Sequence, residues 1–219
     1  MEQIIKIAVI GGTGKSGKYL VKELIKQGFH FKMLVRNAKS RPTSNLLSEN
    51  LKIEIVNGDA NNYEEIRSLI DGCQAVISTL GLGIPASEKT IFSQSTSNII
   101  RAMNECNIQR YVVVTGLNVD TPFDKKSPKT KFATNWMYEN YPISTNNRQT
   151  EYEILSASNL DWTLVRLPLI EQTDARNPIK TSLEDCEGEK ISATDLAHFL
   201  IGQLSDETFV RQTPFLWSL

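Results

Sequence analysis

Short runs of consecutive apolar residues alternate along this chain with longer stretches whose apolar positions recur every three or four residues. A continuous apolar run of this kind fits a strand covered on both faces, and the longer spacing fits a helix with one buried side. The runs predict strands at 6–10, 31–35, 52–56, 75–79, 111–115 and 162–166; the amphipathic stretches predict helices at 16–27, 63–70, 88–106 and 148–158. In the first helix Tyr19, Leu20, Glu23, Leu24 and Gln27 keep the helical spacing, and Gly28 stands where a helix would stop. Strand and helix in alternation build βαβ units, so the expected fold is α/β, a doubly wound parallel sheet between two helical layers.

Two stretches break the rhythm. Residues 118–147 are polar, contain a Lys-Lys-Ser-Pro-Lys-Thr-Lys run, and carry Phe123, Phe132, Trp136, Tyr138 and Tyr141. Residues 167–190 follow the last long strand with little periodicity. Connections beyond the carboxyl ends of strands in an open sheet border the ligand crevice, and long ones there are usually functional. Both are read as substrate-side cover within a single domain spanning 1–219, a length that fits one large core. The cluster of Trp136, Tyr138 and Tyr141 either stacks on a flat acceptor or forms a small core of the insertion, the second being preferred. Lys125, Lys126, Lys129 and Lys131 read as a solvated loop.

The strongest local signal is Ile-Ala-Val-Ile-Gly-Gly-Thr-Gly-Lys-Ser-Gly, beginning at Ile7. It satisfies G-x-G-x-x-G at Gly12, Gly14 and Gly17, and G-x-x-G-x-x-G at Gly11, Gly14 and Gly17. The pattern alone is weak; between a predicted strand and a predicted helix it points to a dinucleotide. The first glycine permits a tight turn, the middle one lets backbone N–H groups approach a pyrophosphate, and the third lets helix and strand touch. The helix N-terminus then favours the negative charge. Gly14-Lys15-Ser16 imitates the end of a nucleoside-triphosphate loop, but that motif needs glycine five positions before Gly14, where Val9 stands.

The end of the second strand selects between dinucleotides. An Asp or Glu there would hold a ribose 2′-hydroxyl. The sequence instead reads Val-Arg-Asn-Ala-Lys-Ser-Arg from Val35, which brings Arg36, Asn37, Lys39 and Arg41. A guanidinium offers forked donors and a permanent charge to a 2′-phosphate, so NADP(H) is expected over NAD(H). Further along, Asp59 either accepts from the adenine amino group or caps the helix that starts near Tyr63. Thr79, Leu80 and Gly81, at the end of the fourth strand, are expected beside the ribose and pyrophosphate; Gly81 and Gly83 either allow close approach or form a turn.

Composition narrows the partners. With 24 basic and 25 acidic residues the formal net charge is −1, which gives nucleic acid or an anionic membrane no electrostatic purchase. Cys73, Cys106 and Cys186 lack metal spacing and read as reduced thiols; no metal is expected. The N-terminus runs directly into a strand, and no stretch approaches the roughly 18 apolar residues of a membrane span, so a soluble, cytoplasmic protein is expected. His30 and His198 read as structural.

Taken together, the segments Gly-Gly-Thr-Gly-Lys-Ser-Gly (11–17), Leu-Val-Arg-Asn (34–37), Asn-Gly-Asp-Ala-Asn-Asn (57–62), Val-Ile-Ser-Thr-Leu-Gly (76–81), Tyr-Val-Val-Val-Thr-Gly (111–116), Ser-Asn-Leu-Asp-Trp-Thr-Leu-Val-Arg (158–166) and Lys-Ile-Ser-Ala-Thr-Asp-Leu-Ala-His-Phe-Leu (190–200) make the chain resemble an atypical short-chain dehydrogenase/reductase of the NmrA-like, NAD(P)H-binding group. That group includes flavin and biliverdin reductases. The resemblance implies a Rossmann sheet of about six parallel strands and a small C-terminal substrate region. It implies cofactor contacts from Gly11, Thr13, Gly14, Lys15, Ser16 and Gly17, from Arg36 and Asn37 at the 2′-phosphate, and from Asp59 and Ala60 near adenine. Thr79, Leu80 and Gly81 would lie at the central ribose and pyrophosphate, with Thr115 and Gly116 on the nicotinamide side.

The chain departs from the better-known members in one respect. Their Tyr-x-x-x-Lys pair is missing: four positions beyond Tyr19, Tyr63, Tyr111, Tyr138, Tyr141 and Tyr152 stand Glu23, Arg67, Thr115, Pro142, Thr145 and Ser156. Alcohol dehydrogenation through that proton relay is disfavoured. Flavins, quinones and tetrapyrroles take their proton from solvent, so hydride transfer to a small conjugated acceptor, by a monomer or weak homodimer, is the leading expectation. A non-enzymatic NADP sensor is the alternative. Thr115 either touches the nicotinamide or acceptor or bonds local backbone. Arg148, placed at the start of its helix, either orients an anionic substrate or pairs with Glu151 or Glu153.

Overall fold

The computed structural model describes residues 6–36, 53–82 and 88–219. Ten strands and six helices occupy them. The first half runs β1 (Lys6–Ile10), α1 (Gly17–Lys26), β2 (His30–Val35), β3 (Ile53–Asn57), α2 (Tyr63–Ile70), β4 (Ala75–Ser78) and α3 (Ile91–Glu105). The second half runs β5 (Arg110–Gly116), α4 (Pro128–Asn140), α5 (Pro142–Ser156), β6 (Asp161–Leu167), β7 (Leu169–Glu171), β8 (Ile179–Ser182), β9 (Lys190–Ser192), α6 (Ala193–Gly202) and β10 (Phe215–Ser218).

The main sheet has the order β3-β2-β1-β4-β5-β6-β10-β8, and β7 pairs with β9 in a second, two-stranded sheet. Every pairing in the main sheet is parallel except β10 with β8, where Phe215 faces Ser182 and Ser218 faces Ile179. The order reverses at β1, whose neighbours are β2 and β4, and a crevice opens at such a reversal beyond the carboxyl ends of the strands.

Alternate residues of each strand feed two cores. Ile7, Val9, Phe31, Met33 and Ile77 face Leu20, Leu24, Leu196 and Leu200 of α1 and α6. Ala8, Ile10, Val76, Tyr111 and Val113 face Ile66, Ile70, Ile99, Met103 and Leu155 of α2, α3 and α5. Burial on both faces explains why these strands read as unbroken apolar runs.

Three expectations need correction. The sheet has eight strands rather than about six, because β10 and the antiparallel β8 extend it beyond β6. Residues 118–147 are largely helical: they contain α4 and the first turns of α5, so Arg148 lies inside a helix instead of opening one. The buried positions of α5 are Thr145, Asn147, Glu151 and Leu155, and those of α4 are Thr130 and Thr134. In the part not expected to be helical the buried groups, Thr130, Thr134, Thr145 and Asn147, are polar, so hydrophobic periodicity misses them. The third concerns the insertion's side chains. Lys126 is buried, and Trp136 and Tyr141 are 45% and 50% exposed, so the aromatic cluster is no core of the insertion.

The two irregular stretches are bound to one another. Lys126 sits between Asp120 (2.6 Å) and Asp124 (3.6 Å). Asp124 also takes Arg166 at 2.5 Å, and Arg166, fully buried, donates to the carbonyls of Thr213, Val119 and Leu183. Lys125 pairs with Glu184, and Thr130 Oγ1 donates to the Cys186 carbonyl.

Candidate functional site

At the carboxyl end of β1 the chain turns sharply into α1. Gly11 carries φ of +78°, and its carbonyl accepts from Gly14 N–H at 2.9 Å. A Cβ on Gly17 would stand 2.1 Å from Gly11 O, and one on Gly12 would stand 2.6 Å from Met33 Sδ. These three glycines answer to the protein's own packing. Gly14 and Gly81 differ: a Cβ on Gly14 would meet only Gly11 O at 3.1 Å, one on Gly81 would meet nothing within 4 Å, and both residues line a crevice of about 440 Å³. Their bareness leaves room for something other than protein. Helix α1 opens into this crevice with no side-chain cap on Ser16 and no acidic residue in its first turn, which leaves its positive end to an anion.

The crevice draws on four chain segments. Gly11, Thr13, Gly14, Lys15 and Ser16 come from the glycine loop and Arg36 from the end of β2; Asp59 and Ala60 follow β3, and Thr79, Leu80 and Gly81 follow β4. Sequence-selected residues therefore converge there from positions far apart in the chain. Gly17 underlies the loop without lining it, and Asn37 lies outside the described residues, as do Lys39, Arg41 and Gly83. Ile10, Leu34, Leu82 and Ile91 complete the lining and supply apolar walls. None of these four carries a site signal in the sequence, because each reads as an ordinary core or loop position.

The polar groups around this crevice are fixed by neighbours. Asp59 Oδ1 accepts from Asn61 N–H at 2.9 Å, and Asp59 N–H donates to Glu65 Oε2 at 2.6 Å. The cap of α2 is Asn62, whose side chain accepts from Glu64 and Glu65 N–H groups, so the capping alternative for Asp59 is overturned. Asn98 Nδ2, reaching over from α3, donates to the carbonyls of Ala60 and Asn61 at 3.1 and 3.0 Å. Thr79 donates both its N–H and its Oγ1 to Ile10 O, which joins the ends of β4 and β1.

On the β5 side, Thr115 is buried and its Oγ1 has no hydrogen-bond partner, so it does not bond local backbone. A Cβ on Gly116 would stand 2.2 Å from Asn118 Oδ1. Neither residue lines the crevice. Arg148 pairs with Glu151 at 2.6 Å, which matches one of its two readings, and it also donates to the carbonyls of Leu80 and Val114.

Other chemistry finds little footing. Burial pushes the thiols of Cys73 and Cys186 up to about 11, far from a reactive thiolate at neutral pH. Among the described residues no group of three or more His, Cys, Asp or Glu could hold a metal ion, and no helix is long and apolar enough to cross a membrane.

Comparison with known proteins agrees with this geometry. A family model described as NAD(P)H-binding matches residues 11–207. Among curated relatives, isoflavone reductase homolog P3 of Arabidopsis thaliana is 34% identical over 134 residues, 58% of this chain and 41% of that protein. Protein TIC 62, chloroplastic, of Pisum sativum is 29% identical over 52% of this chain and 25% of its own length. The matched region thus spans well under half of either relative. Among solved structures, a short-chain dehydrogenase/reductase of Veillonella parvula in complex with NADP superposes with a TM-score of 0.80 at 18% identity, covering 99% of this chain and 95% of that one. ChuY of Escherichia coli O157:H7, an anaerobillin reductase, superposes with a TM-score of 0.75 at 17% identity, covering 97% of each chain. The structural likenesses establish the shared α/β fold, and the family match establishes the rest: this chain belongs to the NAD(P)H-binding family.

Proposed function

We propose that this chain is an NADPH-dependent oxidoreductase of the NmrA-like group that passes hydride to a small conjugated acceptor, a flavin, a quinone or a similar ring system. The observation that carries the reading is the convergence on one crevice of a bare glycine turn, an uncapped helix N-terminus and the cation Arg36. In this reading Gly11, Thr13, Gly14, Lys15, Ser16 and the α1 N-terminus hold the pyrophosphate, and Gly17 keeps helix and strand in touch. Arg36 and Asn37 select the 2′-phosphate, while Asp59 and Ala60 border adenine. Thr79, Leu80 and Gly81 border the ribose and pyrophosphate, and Thr115 and Gly116 face the nicotinamide side.

The dinucleotide supplies the hydride; the chain binds, orients and shields. The Tyr-x-x-x-Lys proton relay is missing, and an acceptor reduced within its own conjugated system takes that proton from water. The Thr115 hydroxyl is unpartnered, but it is buried and outside the crevice lining, so holding a carbonyl or carboxamide there requires its surroundings to shift. We assign residues 118–147 and 167–190, joined through Lys125 and Glu184, to the cover of a single domain that acts in the cytoplasm as a monomer or weak homodimer. The names of isoflavone reductase homolog P3 and of the anaerobillin reductase ChuY support an enzyme of this class.

The test is NADPH oxidation by purified protein across a panel of flavins and quinones, with several of them expected to accelerate it. One observation favours a second reading, a non-enzymatic NADP sensor: Thr115 is buried and lies outside the crevice lining. Tight NADPH binding with no turnover across the panel would favour the sensor over the enzyme.

A further inference from the structure

Two consecutive residues of α5 reach the rim of the crevice. Asn147 Oδ1 accepts from the N–H groups of Phe92 (2.9 Å) and Ser93 (3.3 Å), and its Nδ2 donates to Ser93 Oγ at 2.6 Å. It thereby caps α3 from another helix, since Thr90 at the N-cap position makes no side-chain cap bond. Arg148 donates from Nη2 to Leu80 O at 2.6 Å and from Nη1 to Val114 O at 3.1 Å, with its guanidinium 3.4 Å from the centre of the Phe92 ring. Leu80 lines the crevice, as does Ile91, the residue before Phe92. Leu80 beyond β4 and the first turn of α3 are therefore each held by a side chain of α5, and one guanidinium joins the ends of β4 and β5.

Glu151, one turn along α5, is 2% exposed; it accepts from Arg148 Nη1 at 2.6 Å and from Thr96 Oγ1 at 3.0 Å. Burial pushes its carboxyl up, and Arg148 and Thr96 hold it back. A buried ion pair is often no more stable than an apolar pair of the same volume, so stability alone does not account for a polar helix face here. What the pair does supply is direction: the fork of the guanidinium spans two carbonyls, which no apolar side chain can do.

Resting on the NADPH reading, we infer that Arg148, oriented by Glu151, is a positioning residue that sets the Leu80–Gly81 border of the cofactor crevice and does not touch the acceptor. Both of its Nη atoms are directed to protein groups, so it is not held ready for an anionic substrate.

The experiment compares Arg148→Gln and Arg148→Lys with the exposed same-helix control Glu153→Gln, using hydrogen exchange on the free protein and titration with NADPH. In Arg148→Gln the Thr79 amide, bonded to Ile10 O at the end of β4, is expected to exchange about tenfold faster. NADPH affinity should fall about tenfold while the acceptor KM stays within about twofold, since uniform cofactor binding is what is lost. Arg148→Lys should recover part of both effects, because an ammonium donates without forking. If Arg148→Gln does not fold, the double change Arg148→Met with Glu151→Leu removes the pair without leaving a lone buried charge and carries the same expectation. Unchanged Thr79 exchange in a folded variant would overturn the inference, as would a raised acceptor KM with NADPH affinity intact. A wild-type protein that binds no NADPH would defeat the functional reading, and the exchange measurement would still decide the positioning role.

Discussion

Around β1 the interior consists of Ile7, Ala8, Val9, Ile10, Leu24 and Phe31, and the buried carboxylate of α1, Glu23, is met within its own helix by Lys26 at 3.6 Å. Around β6 it holds Arg166 at 0% exposure, with Asp124 and Lys126 beside it. The first region depends on close approach: glycines let backbone meet backbone, and apolar strands fill the rest. The second depends on charge: Arg166 makes one ion pair and three carbonyl contacts that hold the segments around Val119, Leu183 and Thr213. Apolar packing is tolerant of composition and fixes a sheet; a guanidinium with its donors assigned fixes particular loops. The crevice wall is thus built for shape, and the segments around Asp124 and Leu183 are fixed in position by charge.

Breaking the charged region should produce the largest loss. Asp124→Ala leaves Arg166 buried without its counterion, for which about 3–5 kcal/mol of destabilisation is expected in urea unfolding. A loss under about 1 kcal/mol would mean that the carbonyls alone suffice and that the contrast between the regions is overstated. The glycine region should respond through sterics. Gly17→Ala places a methyl against Gly11 O and is expected to lose about 1–3 kcal/mol together with dinucleotide binding, read by thermal unfolding and titration. Gly14→Ala meets only Gly11 O, at 3.1 Å, so it should lower the melting temperature much less than Gly17→Ala and still weaken NADPH. Equal melting temperatures for the two variants would erase the distinction between packing glycines and ligand glycines. The smallest effect should come from the α2 cap: Asn62→Ala is expected to lose about 1 kcal/mol, whereas Asp59→Asn should leave stability nearly unchanged and act on cofactor affinity.

The strands of the first region and helices α1 and α2 could be read from the chain because their buried faces are apolar and their period is clear. All six strands expected from the sequence are present with ends within three residues, and 6–10 and 63–70 coincide with β1 and α2. The glycine loop was legible because only glycine satisfies Gly11 at φ +78° and Gly17 against Gly11 O. Helices α4 and the start of α5 were not, since Thr130, Thr134, Thr145 and Glu151 are polar residues buried through hydrogen bonds. Lys126 looked solvated for the same reason: its partners, Asp120 and Asp124, come from a loop whose conformation no periodicity describes. Asn98 and Asn147, which hold the crevice border from α3 and α5, carry no local signal, because the partners they hold at that border lie 37 or more residues away in the chain. Side chains that bond across elements are determined by topology, and topology is fixed only once the sheet order is known.

Paired calorimetric titrations of the wild type and Arg36→Ala with NADPH and NADH bear most directly on the central claim. The wild type is expected to prefer NADPH, and Arg36→Ala should lose about ten- to a hundredfold in NADPH affinity with NADH little changed, as for a charge-assisted phosphate contact of about 1.5–3 kcal/mol. Equal weakening of both dinucleotides would contradict the 2′-phosphate assignment, and no heat from either at millimolar concentration would contradict the site itself.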